Sequence, residues 1–189
     1  MNTPDQYLVV DLEATCTDDD SFPRDQMEII EIGAVLLDCR SFAKVAELQT
    51  FVRPTRHPRL TDFCTRLTTI TQAQVDAAPR FPQAIAELRE FLRGRPGALF
   101  CSWGGYDKTQ LERDARRHAV ALPLGGRHLN LKEGFSRRLG ESRQYGTGQA
   151  LRRVGLRASG THHRAIDDAR NIALLVPFVV GAREIPRAA

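Results

Sequence analysis

Residues 7–16 read YLVVDLEATC, a short run rich in apolar and branched side chains that closes on two carboxylates, Asp11 and Glu13. The composition of that run predicts a buried strand over 7–12. Side chains alternate across a strand, so acids two residues apart face the same way. Any sheet built on this strand therefore carries two carboxylates on one side of its end. Residues 13–27 are polar, contain Pro23 and read as a loop. Two further strand candidates follow, MEIIEIGAVLLD (27–38) and VAELQTFVRP (45–54), joined by a short polar link that suggests a hairpin or meander.

Residues 53–80 mix prolines, turn signals and threonines, which predicts a long irregular connection with one short helix. A helix fits FPQAIAELREFLRG, with Pro82 near its start, Ile85, Leu88, Phe91 and Leu92 on one stripe and Gly94 at its end. GALFCSW (97–103) reads as a buried strand before Gly104 and Gly105, YDKTQLERDARRHA (106–119) as a helix and RHLNLK (127–132) as a short strand. EGFSRRLG and GQALRRVGL read as short helices, and residues 164–180 as one final helix. Three strands in succession, then strands alternating with helices, describe an α/β domain with a mixed sheet, antiparallel first and parallel later. With 189 residues, no repeats and no break in composition, the expectation is a single domain over 1–189 with its core at about 6–180.

Composition excludes more than it assigns. No apolar run reaches the ~18 residues of a membrane span and no charged-then-apolar leader opens the chain, so a cytoplasmic protein with no membrane contact is expected. Cys16, Cys39, Cys64 and Cys101 form no CxxC pair or Cys/His cluster, which argues against a zinc site or a disulfide framework. The net charge of +4 permits nucleic acid without demanding it. Lys44, Lys108 and Lys132 are the only lysines, an arginine skew better explained by a GC-rich genome than by a selected surface.

The acids carry the chemistry. Asp11 and Glu13 end an apolar strand, where a carboxylate needs either an ion-pair partner or a metal. Asp107 follows the GALFCSW strand at the start of a helix, a position that suits a first-turn acid as well as a catalytic one. In the last helix, Ala165, Ala169, Ile172, Ala173 and Val176 form the apolar stripe. Asp168 falls along that stripe, whereas Asp167 lies nearer the exposed side. His163 stands at or just before the helix start, and His162 has no constraint beyond adjacency. Carboxylates suit hard cations such as Mg²⁺ or Mn²⁺. Two such ions roughly 3.5–4 Å apart activate water and stabilise the leaving oxygen of a phosphodiester. A neutral histidine can accept the proton of the attacking water.

VDLEATC with EIIEIGAV, then CSWGGYDKTQLERD, then HRAIDD resemble the three motifs of the DEDDh exonuclease superfamily, over about residues 6–180. Any one motif is weak; the ordered triple with its H-x4-D spacing is specific. FVRPTRHPRLTDFCTRLTTITQAQVDAAPRFPQAI is further similar to the loop after the third strand of the Eri-type three-prime exonucleases, which include KapD-like bacterial proteins. The resemblance implies an RNase H-like fold, a central mixed sheet of about five strands flanked by helices. It implies Asp11, Glu13, Asp107 and Asp168 as ligands of two divalent ions, Mg²⁺ or Mn²⁺, and His163 as general base. The implied reaction is 3′→5′ hydrolysis at the 3′ end of single-stranded RNA or DNA, releasing 5′-mononucleotides. RNA is favoured on the subgroup resemblance alone.

Departures from the pattern mark the substrate side. Ala14 stands where proofreading relatives often carry threonine, and Thr15 follows it within reach of a terminal 3′-hydroxyl. Leu67, in LTTIT where the subgroup often has LTGIT, suits a contact to the terminal base or sugar as well as loop core. The alternatives are a DNA-directed exonuclease of the proofreading or repair type, and a catalytically silent binding module on the same fold.

Overall fold

The computed structural model describes residues 4–95 and 97–186. Five strands form one sheet: β1 (Gln6–Ala14), β2 (Ile29–Asp38), β3 (Lys44–Phe51), β4 (Ala98–Ser102) and β5 (His128–Asn130). Their order is β3-β2-β1-β4-β5. The β1–β2 and β2–β3 pairs are antiparallel, and β1–β4 and β4–β5 are parallel. This is the antiparallel-then-parallel order expected from the strand and helix pattern. β1 is the middle strand, so its acidic end emerges from the centre of the sheet.

Alternation in β1 sorts the core into two faces. Leu8, Val10 and Leu12 pack with Ile32, Ala34 and Leu36 beneath α3 (Phe81–Phe91) and α4 (Tyr106–Arg117). Tyr7 and Val9 pack with Val35 and Leu37 on the opposite face. That face is covered by α5 (Leu131–Leu139), α6 (Thr147–Arg153), α7 (Ala165–Ala173) and α8 (Val176–Val179). Asp11 and Glu13 continue the Tyr7–Val9 series and so lie on the α7 side. The segment predicted as a loop with one helix holds two, α1 (Asp62–Thr68) and α2 (Gln72–Ala77). Thr61 caps α1 and Thr71 with Gln74 forms a capping box on α2. With Cys16 and Ile30 the pair builds a small third cluster around Cys64, Ile70 and Val75.

The single helix expected over 164–180 is two. α7 ends at Ala173 and α8 begins at Val176, with Pro177 in its first turn. Proline has no N–H to donate and its ring collides with the carbonyl four residues back, here that of Ala173, so the α-helical ladder breaks ahead of it. RHLNLK is likewise a strand only over His128–Asn130, because Asn130 already caps α5.

Close approach of α7 to the sheet depends on one glycine. Gly33 of β2 pairs directly with Asp11. A Cβ at Gly33 would run into the backbone of Ala165 and Ile166. Only a residue without a side chain lets the start of α7 rest on the strand, and that seating sets Asp168 over the end of β1. Among the described residues, no helix is long and apolar enough to cross a membrane.

Candidate active site

Asp11, Glu13 and Asp168 come together although 155 residues separate the last two. Each offers a carboxylate oxygen, and these oxygens lie within 4.8 Å of one another. Asp11 stands opposite Gly33 and Glu13 opposite Glu31, one step before a register shift that frees the end of β1. Asp168, 9 % exposed, is in the first turn of α7, where the partial positive charge of the helix end favours an acid. Burial, then the charges of Asp107, Glu13 and Asp168, push the Asp11 carboxyl well above the ordinary carboxylate range. Glu13 is pushed up to about 8, chiefly by burial and next by Asp168.

Asp107 sits outside that trio, at the second residue of α4, and is itself buried. Burial raises its carboxyl to about 7. After burial, its charge is the largest influence on Asp11. Behind it, Phe100 lies in the core and Trp103 donates its Nε1–H to the Tyr145 carbonyl at 2.9 Å.

Among the described residues, no lysine or arginine forms an ion pair with Asp11, Glu13, Asp107 or Asp168. Buried carboxylates need pairing or a coordinated cation. An all-oxygen donor set of this kind fits a hard divalent ion.

Two histidines approach the trio from the loop ahead of α7. The main-chain N–H of His163 donates to Asp168 Oδ2 at 2.9 Å, and His163 Nδ1 is 4.0 Å from Glu13 Oε1. His162 Nδ1 is 3.2 Å from Asp168 Oδ1, and the two imidazoles stack with centroids 3.9 Å apart. The ring nearest Asp168 is therefore that of His162, to which the sequence assigned no task. Burial, and then His162, hold the His163 imidazole below its ordinary pKa, which favours the neutral, proton-accepting form. Asp167 stays outside the cluster, as the helical-face argument required. It accepts the Thr161 N–H at 2.9 Å and pairs with Arg170 at 2.8 Å, bracing the histidine loop from behind.

Glu31 and Glu28 were not singled out from the sequence. Glu31 is fully buried, pairs with Arg164 at 3.1 Å, accepts the Ala165 N–H at 3.1 Å and takes a hydrogen bond from Gln49 at 2.6 Å. It ties the first residue of α7 to β2 one side chain away from Glu13. Glu28 accepts from the N–H groups of Thr55, Arg56 and His57 and from the Thr55 hydroxyl, folding the start of the 53–60 loop around itself. Glu28 and Glu31, set among apolar residues in MEIIEIGAVLLD, were the available signal, since buried carboxylates require partners.

Of the three residues read as substrate contacts, Ala14 is buried and Thr15 is 2 % exposed, its hydroxyl accepting the Glu28 N–H at 3.0 Å. Leu67 is half-buried against the small cluster around Cys64.

The model of the family described as Exonuclease matches residues 8–176. This chain belongs to the exonuclease family. ERI1 exoribonuclease 3 of Mus musculus is 33 % identical over 178 residues, which cover 88 % of this chain and 51 % of that protein. The chain thus spans about half the length of this relative. Probable 3′-5′ exonuclease KapD of Bacillus subtilis is 31 % identical over 168 residues, covering 88 % of this chain and 80 % of that one. The nuclease domain of 3′hExo, a DEDDh family member solved bound to rAMP, superposes with a TM-score of 0.87 at 27 % identity, covering 98 % of this chain and 97 % of its own. The mixed five-stranded sheet with flanking helices is thus the RNase H-like exonuclease fold, as the motif resemblance implied.

Proposed function

We propose that this exonuclease-family chain is a 3′→5′ exonuclease that removes 5′-mononucleotides from the 3′ end of single-stranded RNA, acting as one domain over its core in a cytoplasmic setting. The observation that carries the reading is the trio of half-buried Asp11 with buried Glu13 and Asp168, which among the described residues has no lysine or arginine partner and has Asp107 beside it. These acids would hold two divalent cations, Mg²⁺ or Mn²⁺. Such ions supply Lewis acidity at the phosphodiester and neutralise charge on the leaving oxygen.

The chain's own groups do the rest. His163, its imidazole kept neutral by burial, takes the proton of the attacking water. Its ring faces Glu13 while its backbone is fixed to Asp168, so the base and the cation site move as one body. Glu31, Arg164 and Gly33 hold α7 against β2 and so set Asp168. Ala14 leaves room beside Glu13, and Leu67 offers an apolar edge to the terminal nucleotide. Thr15 supports the same end of the strand through Glu28. The preference for RNA follows the relatives, one of which is named an exoribonuclease.

The test is a panel of matched RNA and DNA oligonucleotides with free and blocked 3′ ends, in Mn²⁺ and in EDTA. Stepwise shortening of free-ended RNA that needs the cation is expected. Cleavage of blocked strands, or shortening that persists in EDTA, would sink the proposal.

A further inference from the structure

Three arginines around the α4–α5 region are engaged by the fold. Arg113 donates to the Arg24 carbonyl at 2.8 Å, Arg117 to the Asp25 carbonyl at 3.0 Å and to Asp114 at 2.8 Å, and Arg138 pairs with Glu184 at 3.5 Å. Residues 53–80 behave differently. The segment holds five arginines, Arg53, Arg56, Arg59, Arg66 and Arg80, against two acids, Asp62 and Asp76. It therefore contributes +3 of the chain's net +4. All five are exposed, and among the described residues none forms an ion pair.

This segment is also fixed to the acidic site. Glu28 accepts three successive backbone N–H groups, those of Thr55, Arg56 and His57, and is itself bonded through its carbonyl to the Thr15 N–H at 2.8 Å. Thr15 is two residues beyond Glu13. Thr61 donates its hydroxyl to the Cys16 carbonyl at 2.6 Å, and Cys64 Sγ lies 3.7 Å from the Ala14 carbonyl. His57 stacks on Phe22 with centroids 4.0 Å apart. Arg53 and Arg80 stand side by side across an isolated parallel bridge. The cations thus ride on a loop that follows β3 and is braced against the residues just beyond β1.

Resting on the nuclease reading, we infer that the 53–66 segment is a docking strip for the backbone of a single strand upstream of the nucleotide being removed, with Arg56 and Arg59 as phosphate contacts. Exposed guanidinium groups on a fixed frame suit phosphate oxygens. Each neutralised phosphate of a single strand releases counterions, so binding weakens with salt by a slope of about 0.7 per contact. The strip makes affinity depend on strand length, while hydrolysis of the last bond does not need it.

The test compares wild type, Arg56→Glu/Arg59→Glu and a charge-matched control, Arg137→Glu/Arg152→Glu, on the last turns of α5 and α6. Two probes are used, a labelled oligoadenylate of about 20 nucleotides and the dinucleotide ApA, the first long enough to cover several phosphate contacts and the second too short. In EDTA, fluorescence anisotropy should show the strip variant binding the long probe about tenfold more weakly, with its log–log salt slope reduced by about 1.4. In Mn²⁺ its release of AMP from ApA should equal wild type. The control should match wild type in both. Equal binding and slope in the strip variant, or equal weakening in the control, overturns the inference. Failure of wild type to cleave either probe counts against the nuclease reading instead, and the anisotropy still decides the strip.

Discussion

The backbone N–H of His163 donates to Asp168 Oδ2 at 2.9 Å from a left-handed conformation, φ 60°. A base candidate and a cation-ligand candidate are therefore joined through the main chain. Left-handed backbone is costly for most residues and tolerated best by glycine, then by asparagine, aspartate and histidine.

That geometry separates chemistry from folding at position 163. His163→Asn keeps a residue suited to φ 60° and removes the imidazole. Turnover should fall by about 10²–10⁴-fold, the usual contribution of a general base. The thermal midpoint should stay near that of wild type. His162→Ala should keep most activity, because its ring is largely solvent-exposed whereas that of His163 faces Glu13. Full turnover in His163→Asn, with loss in His162→Ala, would reassign the base.

The division between these histidines shows how far the sequence was readable. The acid pair on β1, the two-faced sheet and the choice of Asp168 over Asp167 follow from periods of two and 3.6, which are local properties. What stayed hidden depends on contacts distant along the chain. Glu31 meets Arg164 across 133 positions, and no local pattern in EIIEIGAV names its partner. His162 reaches Asp168 beside a left-handed residue 163, a conformation that histidine permits but no local pattern announces. The break between α7 and α8 has a local signal in Pro177, which the reading of 164–180 as one helix leaves out of account.

Glu31→Gln tests whether the brace sets the site. The change removes the charge facing Arg164, which is itself mostly buried, and weakens the acceptor of the Ala165 N–H. Breaking a buried pair on one side costs about 3–5 kcal/mol. A urea-unfolding loss at the low end of that range is expected, since Arg164 retains some access to water. Weaker Mn²⁺ binding by calorimetry should accompany it. Asp167→Asn, which keeps a side-chain acceptor for the Thr161 N–H, should alter neither by much.

Gly33→Ala probes the same seating from the strand side. The added methyl has no room, because backbone atoms of Ala165 and Ile166 occupy its place. Backbone cannot swing aside as a flexible side chain does, so a loss at or above the ~1–3 kcal/mol of ordinary overpacking is expected. Displacement of α7 should also carry Asp168 away from Asp11 and Glu13. Unchanged stability with unchanged cation affinity would show that α7 does not rest on this glycine.

Removing the cation should make the protein sensitive to alkali. Burial raises Glu13 from its ordinary 4.5 to about 8, so between those values the folded, cation-free chain holds a proton that the unfolded chain has lost. Stability then falls as pH rises through that window, the reverse of an acid stabilised in its charged form. A divalent ion on the deprotonated acids cancels the penalty, and one present at 100 times its dissociation constant adds about 2.7 kcal/mol. In EDTA the melting temperature should drop from pH 5 to pH 8, and Mn²⁺ should raise it more at pH 8 than at pH 5. Glu13→Gln, with nothing to titrate at that position, should show a shallower decline in EDTA. Parallel pH profiles with and without Mn²⁺ would mean that these carboxylates do not hold the ion.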